Sequence, residues 1–208
     1  MRLPRLYAIT DEKVLPNAQL ITKVREVLEA GAGFLQLRFK KTPADERLRL
    51  GQEIRALTRE YNSLLIVNDS PQLANAIEAD GVHLGADDPQ VPQARGILGK
   101  DAIIGVSCYE DMDLVKRWTP EDISYIGLSS PYPSTTKHKE VVPLDKFKEL
   151  VAASRLPCYA IGGIAPERVG EMLDAGCYGV AVISAVFGAG NPAYETKRFL
   201  AELDRLNW

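Results

Sequence analysis

Histidine and cysteine are scarce in this chain: His83 and His138 are the only histidines, and Cys108, Cys158 and Cys177 the only cysteines. The cysteines are odd in number, far apart and form no CxxC pair. That argues against a disulfide framework and against a zinc site built with the two histidines. They read as buried, reduced thiols of a cytoplasmic protein. No apolar stretch approaches the roughly 18 residues of a membrane span, so no membrane association is expected. The N-terminal MRLPRLYAITDEK lacks the apolar core of a secretion signal. An excess of one charge is missing too. Lys and Arg number 25 against 28 Asp and Glu, and the net charge of −3 provides no general basic field for nucleic acid. Any anion site must be a local gathering of positive groups. Composition shifts, linkers and low-complexity tracts are also absent, so residues 1–208 read as one domain. The sequence leaves a homo-oligomer open.

What the sequence does have is a regular alternation. Short apolar runs at 6–10, 34–38, 64–68, 81–84, 103–107, 125–128, 158–161 and 179–183 read as strands. Between and after them, segments of helical period fall at 17–30, 43–61, 71–78, 91–98, 112–118, 144–154, 166–175 and 191–206. Thr42 is the expected N-cap of the second helix, with Pro43 at its first helical position. The strands are nearly continuous apolar runs, as expected for a parallel sheet buried on both faces. Strand–helix–strand order implies crossovers and parallel pairing. Eight such units in 208 residues fit a small α/β (β/α)8 TIM barrel, with an open doubly wound sheet as the competing architecture.

In a barrel of this kind chemistry sits at the C-terminal strand ends. Polar residues gather at those ends: Gln36, Arg38 and Lys40 on one face of the second strand, Asn68-Asp69 after the third, Asp87-Asp88 after the fourth. Ser107 ends the fifth strand, the sixth feeds a loop from Ser129 through Ser134, Thr136 and Lys137, and Gly162-Gly163 and Ile183-Ser184 end the last two. Each has a plainer reading when taken alone. Residues 68–71 have turn and helix-cap chemistry, Asp87 and Asp88 suit a cap, Arg38 suits a solvated ion pair, and His83 suits a satisfied core histidine. Their convergence on one rim favours a site.

Gly163 lets backbone N–H groups approach a phosphate, and Ile183-Ser184 completes the cup with an amide and a hydroxyl. Asp69 and Asp88 are hard oxygen donors suited to Mg²⁺, which takes its remaining ligands from phosphate and water. Arg38, Lys40 and Lys137 can neutralise a second, more highly charged group such as pyrophosphate. No Cys–His or Ser–His constellation for nucleophilic catalysis is expected on the rim.

The segments YAITD at 7–11, QLRFK at 36–40, ND at 68–69, ADGVHLGADD at 79–88, GVS at 105–107, YPSTTK at 132–137, IGGI at 161–164 and VAVIS at 180–184 follow in an order and spacing that resemble the thiamine phosphate synthase family. The resemblance implies a Mg²⁺-dependent transferase joining hydroxymethylpyrimidine pyrophosphate to thiazole phosphate, with release of pyrophosphate. It implies that Gln36 contacts the pyrimidine while Arg38, Lys40, Asn68, Ser107 and Lys137 hold its pyrophosphate, Arg38, Lys40, Ser107 and Lys137 serving catalysis. Asp69 and Asp88 would carry the metal, and Ser134, Thr136, Gly163, Ile183 and Ser184 the thiazole phosphate. The chain departs from the family's usual pattern at Ser70, where arginine is common, and at Ala86, Ser130 and Ser134. The alternative is the sister group of thiazole tautomerases and non-catalytic regulator-like homologues on the same barrel. The loop 129–143 is a candidate lid.

Overall fold

The computed structural model describes residues 2–85, 90–129, 131–134 and 140–205. The elements run β1 (Leu6–Ile9), α1 (Asn17–Glu29), β2 (Phe34–Leu37), α2 (Ala44–Glu60), β3 (Leu64–Asn68), α3 (Pro71–Ala76), β4 (Gly81–Leu84), α4 (Val91–Leu98) and β5 (Ile103–Tyr109). They continue with α5 (Met112–Arg117), β6 (Tyr125–Ser129), α6 (Leu144–Ala153), β7 (Cys158–Ile161), α7 (Val169–Asp174), β8 (Gly179–Val182), α8 (Ser184–Phe187) and α9 (Pro192–Arg205). The strands form a closed parallel barrel in sequence order, which excludes the open sheet. Closure runs through Leu6↔Val180, Tyr7↔Ala181 and Ala8↔Val182 between β1 and β8.

The continuous apolar runs serve two cores at once. Leu6, Ala8, Leu35, Leu37, Leu65 and Val67 face outward against the helices. Alternate residues of the same strands, Tyr7, Ile9, Phe34 and Ile66, fill the barrel interior with Tyr125 and Tyr159. That is the period-2 alternation of a strand with both faces buried. The helices pack by a matching 3.6-residue stripe: α1 buries Leu20, Val24, Val27 and Leu28, and α2 buries Leu50, Ile54, Leu57 and Thr58. Inside the barrel Tyr7 stacks on Phe34 at 4.0 Å, and the Tyr7–Tyr125 and Tyr125–Tyr159 rings meet edge-on at 5.6 and 5.3 Å. These rings close the barrel's middle and make a floor for whatever lies above.

All three cysteines are buried and free. Burial pushes the Cys108 thiol up to about 12 and Cys158 up to about 11, so neither is a thiolate nucleophile.

The structure departs from the sequence expectation in four places. Strand β5 runs on past Ser107 to Tyr109 through a register shift against β6. A short helix, α8, follows β8 directly. A 3₁₀ turn at Pro166–Arg168 precedes α7. Finally, Thr42 is not an N-cap: α2 starts at Ala44 behind Pro43, with no side-chain cap, and Thr42 Oγ donates to Glu12 instead.

Candidate active site

A cavity opens at the C-terminal mouth of the barrel, above the tyrosine floor. Gln36, Arg38, Asn68 and Ser107 line one side of it, and Ser134, Gly163, Ile183 and Ser184 the other. Eight residues singled out in the sequence thus meet around one space. Lys40 and Asp69 lie at the rim beside Arg38 and Asn68 and pair with each other. Asp88, Thr136 and Lys137 lie outside the described residues, as do Ala86, Asp87, Ser130 and His138.

The cationic side is held by acidic residues that follow β1. Asp11, nearly fully buried, forms an ion pair with Arg38, which is 14% exposed. Glu12 accepts from the backbone N–H groups of Lys40, Lys41 and Thr42 at 2.7, 2.9 and 2.8 Å, and from Thr42 Oγ. It ties down the whole turn after β2, and with it the backbone of Lys40. Burial alone would raise the Glu12 carboxyl, but donation from Thr42 Oγ and those three amides outweighs it and holds the group at about 2.

A carboxyl depressed in the folded state contributes stability above its unfolded value of about 4.3, and that contribution is lost as pH falls toward the folded value. In urea titrations across pH, Glu12→Gln should therefore be less stable than the parent above about pH 5. The gap should close between about pH 4 and 2. A gap independent of pH would mean the carboxylate charge plays no part in holding the turn.

Asp69 has a left-handed φ of 65° and its N–H donates to the His83 carbonyl at 2.9 Å, fixing the turn between β3 and α3. Ser70 caps α3, its Oγ accepting from the Leu73 N–H at 3.1 Å, with Pro71 at the first helical position. The plain helix-cap chemistry of residues 68–71 is therefore correct for Ser70, and it coexists with a site role for its two neighbours. Asn68 sits on the cavity wall with its Nδ2 buried and, among the described residues, without a partner. A buried donor left unpaired is costly, and an oxygen of a bound ligand would satisfy it.

On the opposite side Gly163 has φ 62°, and a Cβ there would lie 2.3 Å from the Pro133 carbonyl and 2.8 Å from Tyr132 Cβ. Arg168 donates to the Gly163 carbonyl at 2.5 Å and lies 4.2 Å from the centre of the Tyr132 ring. The β7 turn is thus clamped against the loop that carries Ser134. Gly163→Ala must both strain a left-handed position and push that loop away. We expect it to raise KM for a monophosphate ligand of this side by about tenfold or more, with little change in KM for a ligand of the cationic side, as steady-state kinetics with each substrate varied would show.

Beneath the cavity the structure corrects one expectation. A Ser–His pair is present: His83 Nε2 lies 2.9 Å from Ser107 Oγ, with Nδ1 3.1 Å from the Tyr125 hydroxyl. His83 is bonded at both ring nitrogens, as a core histidine would be, yet it lines the cavity. Among the described residues its Nδ1 meets the Tyr125 phenol rather than a carboxylate, so the pair is not extended there into a Ser–His–Asp arrangement. Asp11 and Glu12, just past the C-terminal end of β1, are further site residues that polarity at the strand ends would have pointed to.

Comparison with known proteins places this geometry. A model of the thiamine monophosphate synthase family matches residues 6–186. The thiamine-phosphate synthase of Chromobacterium violaceum is 40% identical over 193 residues, which are 92% of either chain. That of Halorhodospira halophila is 38% identical over 205 residues, covering 98% of this chain and 96% of its own. The solved thiamine phosphate pyrophosphorylase of Pyrococcus furiosus superposes with a TM-score of 0.87 at 35% identity, covering 98% of this chain and 97% of that one. With the family pattern running through the barrel and through both sides of its mouth, this chain belongs to the thiamine monophosphate synthase family.

Proposed function

We propose that this chain is a transferase that condenses hydroxymethylpyrimidine pyrophosphate with thiazole phosphate, giving thiamine phosphate and pyrophosphate. The observation that carries this is the two-sided cavity: an amide, a guanidinium and an orphaned donor (Gln36, Arg38, Asn68) face a glycine–serine cup (Gly163, Ser184) across one space.

Gln36 meets the pyrimidine. Arg38, Lys40, Asn68 and Ser107 hold its pyrophosphate, with Lys137 from the loop after β6. Ser134, Gly163, Ile183 and Ser184, with Thr136, take the thiazole phosphate. Mg²⁺ fits the donor set at the rim. Asp69 offers a hard carboxylate oxygen there and Asp88, outside the described residues, would be the second; no cluster of three or more His, Cys, Asp or Glu exists among the described residues. A site of one or two carboxylates completed by phosphate oxygens and water is the ordinary form for this ion. When bound there it supplies charge neutralisation of the departing pyrophosphate.

The chain's own groups then do the following. The bond from the methylene carbon to the pyrophosphate oxygen breaks with its electron pair going to pyrophosphate. Arg38 and Lys40 stabilise the charge that builds on that oxygen. A unit pair at 4 Å is worth about 4 kcal/mol at an effective dielectric of 20, before desolvation, so two or three such contacts are significant on the scale of a barrier. The aminopyrimidine ring delocalises the positive charge left on the methylene carbon, and the thiazole nitrogen, positioned by its phosphate in the opposite cup, captures it. No side chain forms a covalent bond.

The cytoplasm is the compartment we infer, supported by three buried free thiols and by the lack, among the described residues, of a helix long and apolar enough to cross a membrane. The direct test is product analysis with purified protein, both substrates and Mg²⁺. Thiamine phosphate and pyrophosphate should appear in equal amounts, and only when both substrates are present. Thiazole isomerisation without the pyrimidine, and without pyrophosphate release, would move the chain to the tautomerase reading.

A further inference from the structure

A hydrogen-bonded chain runs beneath the cavity from one substrate-facing group to another. Gln36 Nε2 is 2.7 Å from the Tyr7 hydroxyl, which is 2.7 Å from the Tyr125 hydroxyl. Tyr125 is 3.1 Å from His83 Nδ1, and His83 Nε2 is 2.9 Å from Ser107 Oγ. Five side chains on β1, β2, β4, β5 and β6 are linked in a row. The barrel makes room for the central link: a Cβ on Gly105 would lie 2.1 Å from the Tyr125 ring and 2.4 Å from its hydroxyl oxygen. Both phenols are fully buried, and burial raises Tyr7 and Tyr125 well above the usual phenol range, so each keeps its single proton.

Each phenol has one proton; when His83 likewise carries a single ring proton, the chain has two directions. In the first, Gln36 donates to Tyr7, Tyr7 to Tyr125, Tyr125 to His83 Nδ1, and His83 Nε2–H to Ser107. The Ser107 hydroxyl proton is then available to the cavity, and the Gln36 carbonyl oxygen is the amide atom not used by the chain. In the second every bond is reversed. Ser107 spends its proton on His83 and offers only lone pairs, while the Gln36 amide turns over and its NH₂ is the group not used. A mixed arrangement of the neutral groups breaks a buried hydrogen bond, which is costly.

The geometry points to a specificity relay: an anion at Ser107 selects the first direction and thereby presents the Gln36 carbonyl, so that the diphosphate end of the pyrimidine substrate enforces recognition of an amino group, and not an oxo group, at its ring. Tyr7, Tyr125 and His83 are positioning residues in this scheme. The inference rests on the functional reading above, in which Ser107 meets the pyrophosphate and Gln36 the ring. It goes beyond that reading in making the two contacts one coupled unit.

The coupling is read from four binding constants. The aminopyrimidine and its 4-oxo analogue are each titrated as the diphosphate with Mg²⁺ and as the unphosphorylated alcohol, without thiazole phosphate, so that no transfer occurs. In the parent protein the amino-over-oxo preference should be about tenfold larger for the diphosphates than for the alcohols, the scale of one hydrogen bond. Tyr125→Phe, which keeps the ring and removes the link, should bring the two preferences within about twofold of each other. Tyr7→Phe cuts the chain one bond closer to Gln36 and should do the same, so that a folding failure in either variant leaves the other to decide. A purely structural role would weaken all four ligands alike. Equal preferences in the parent protein, or a difference that survives both substitutions, overturns the relay while leaving the synthase reading intact. A parent protein that binds neither diphosphate defeats the synthase reading itself, and the relay with it.

Discussion

Arg38→Met is expected to lower kcat/KM by roughly 10²–10³ and, in the same protein, to lower the melting temperature by roughly 6–20 °C. The first effect follows from removing a cation aimed at the charge that develops on the leaving group. The second follows from Asp11, whose side chain is only 3% exposed and whose ionic partner is Arg38. Breaking a buried pair from one side leaves an uncompensated charge at a cost of about 3–5 kcal/mol. In a domain of this size about 2–4 °C accompanies each kcal/mol. Adding Asp11→Asn to Arg38→Met removes the stranded charge and should restore most of the lost melting temperature and none of the activity. Calorimetric scans and kinetics on the parent and these two variants separate the two effects. A single variant that melts like the parent would show that Asp11 does not depend on Arg38 for its charge.

Asp69→Asn should be the most damaging conservative change at the rim. Asparagine tolerates the left-handed backbone that Asp69 adopts, so the turn before α3 survives and the carboxylate alone is lost. We expect kcat/KM to fall by roughly 10²–10³ and the Mg²⁺ concentration for half-maximal rate to rise by about 10–100-fold. Excess chelator should abolish turnover in the parent protein, and added Mg²⁺ should restore it. The pairing of Lys40 with Asp69 gives a different expectation if the carboxylate serves only to park that lysine: the rate would then change with no shift in the metal dependence.

The barrel was legible because its signal is redundant. Eight apolar runs of similar length, each followed by a helical stripe, specify the same topology several times over, and both faces of each strand are buried as their composition requires. What escaped depended on contacts between distant residues or on segments too short to show a period. Thr42 before a proline has the pattern of an N-cap, but its hydroxyl is taken by Glu12, 30 residues earlier. Four residues of α8 make little more than one helical turn, too few to display a stripe. His83 and Ser107 lie 24 residues apart and meet because β4 and β5 are neighbours, with His83 opposite Gly105 and Ser107 two residues further along.

Within the candidate site, six of the cavity-lining residues, Gln36, Arg38, Asn68, Ser107, Ser134 and Ser184, followed from one rule, polarity at the C-terminal strand ends. The supports beneath and behind them did not. Tyr7 and Tyr125 look like core aromatics by composition, and they are that, but their hydroxyls join in the middle of the barrel. Ser70 has its structural reason in the cap it provides for α3.

In the proposed function the barrel mouth has two separable halves, a metal-assisted pyrophosphate side on β2 to β5 and a monophosphate cup on β7 and β8. Measuring both substrate KM values in Asp69→Asn and in Gly163→Ala tests this most directly. The expected result is a crossed pattern: Asp69→Asn impairs the pyrimidine pyrophosphate and leaves the thiazole phosphate KM within about twofold, while Gly163→Ala does the reverse. Parallel rises of both KM values in both variants would contradict the division and point to a single shared phosphate site.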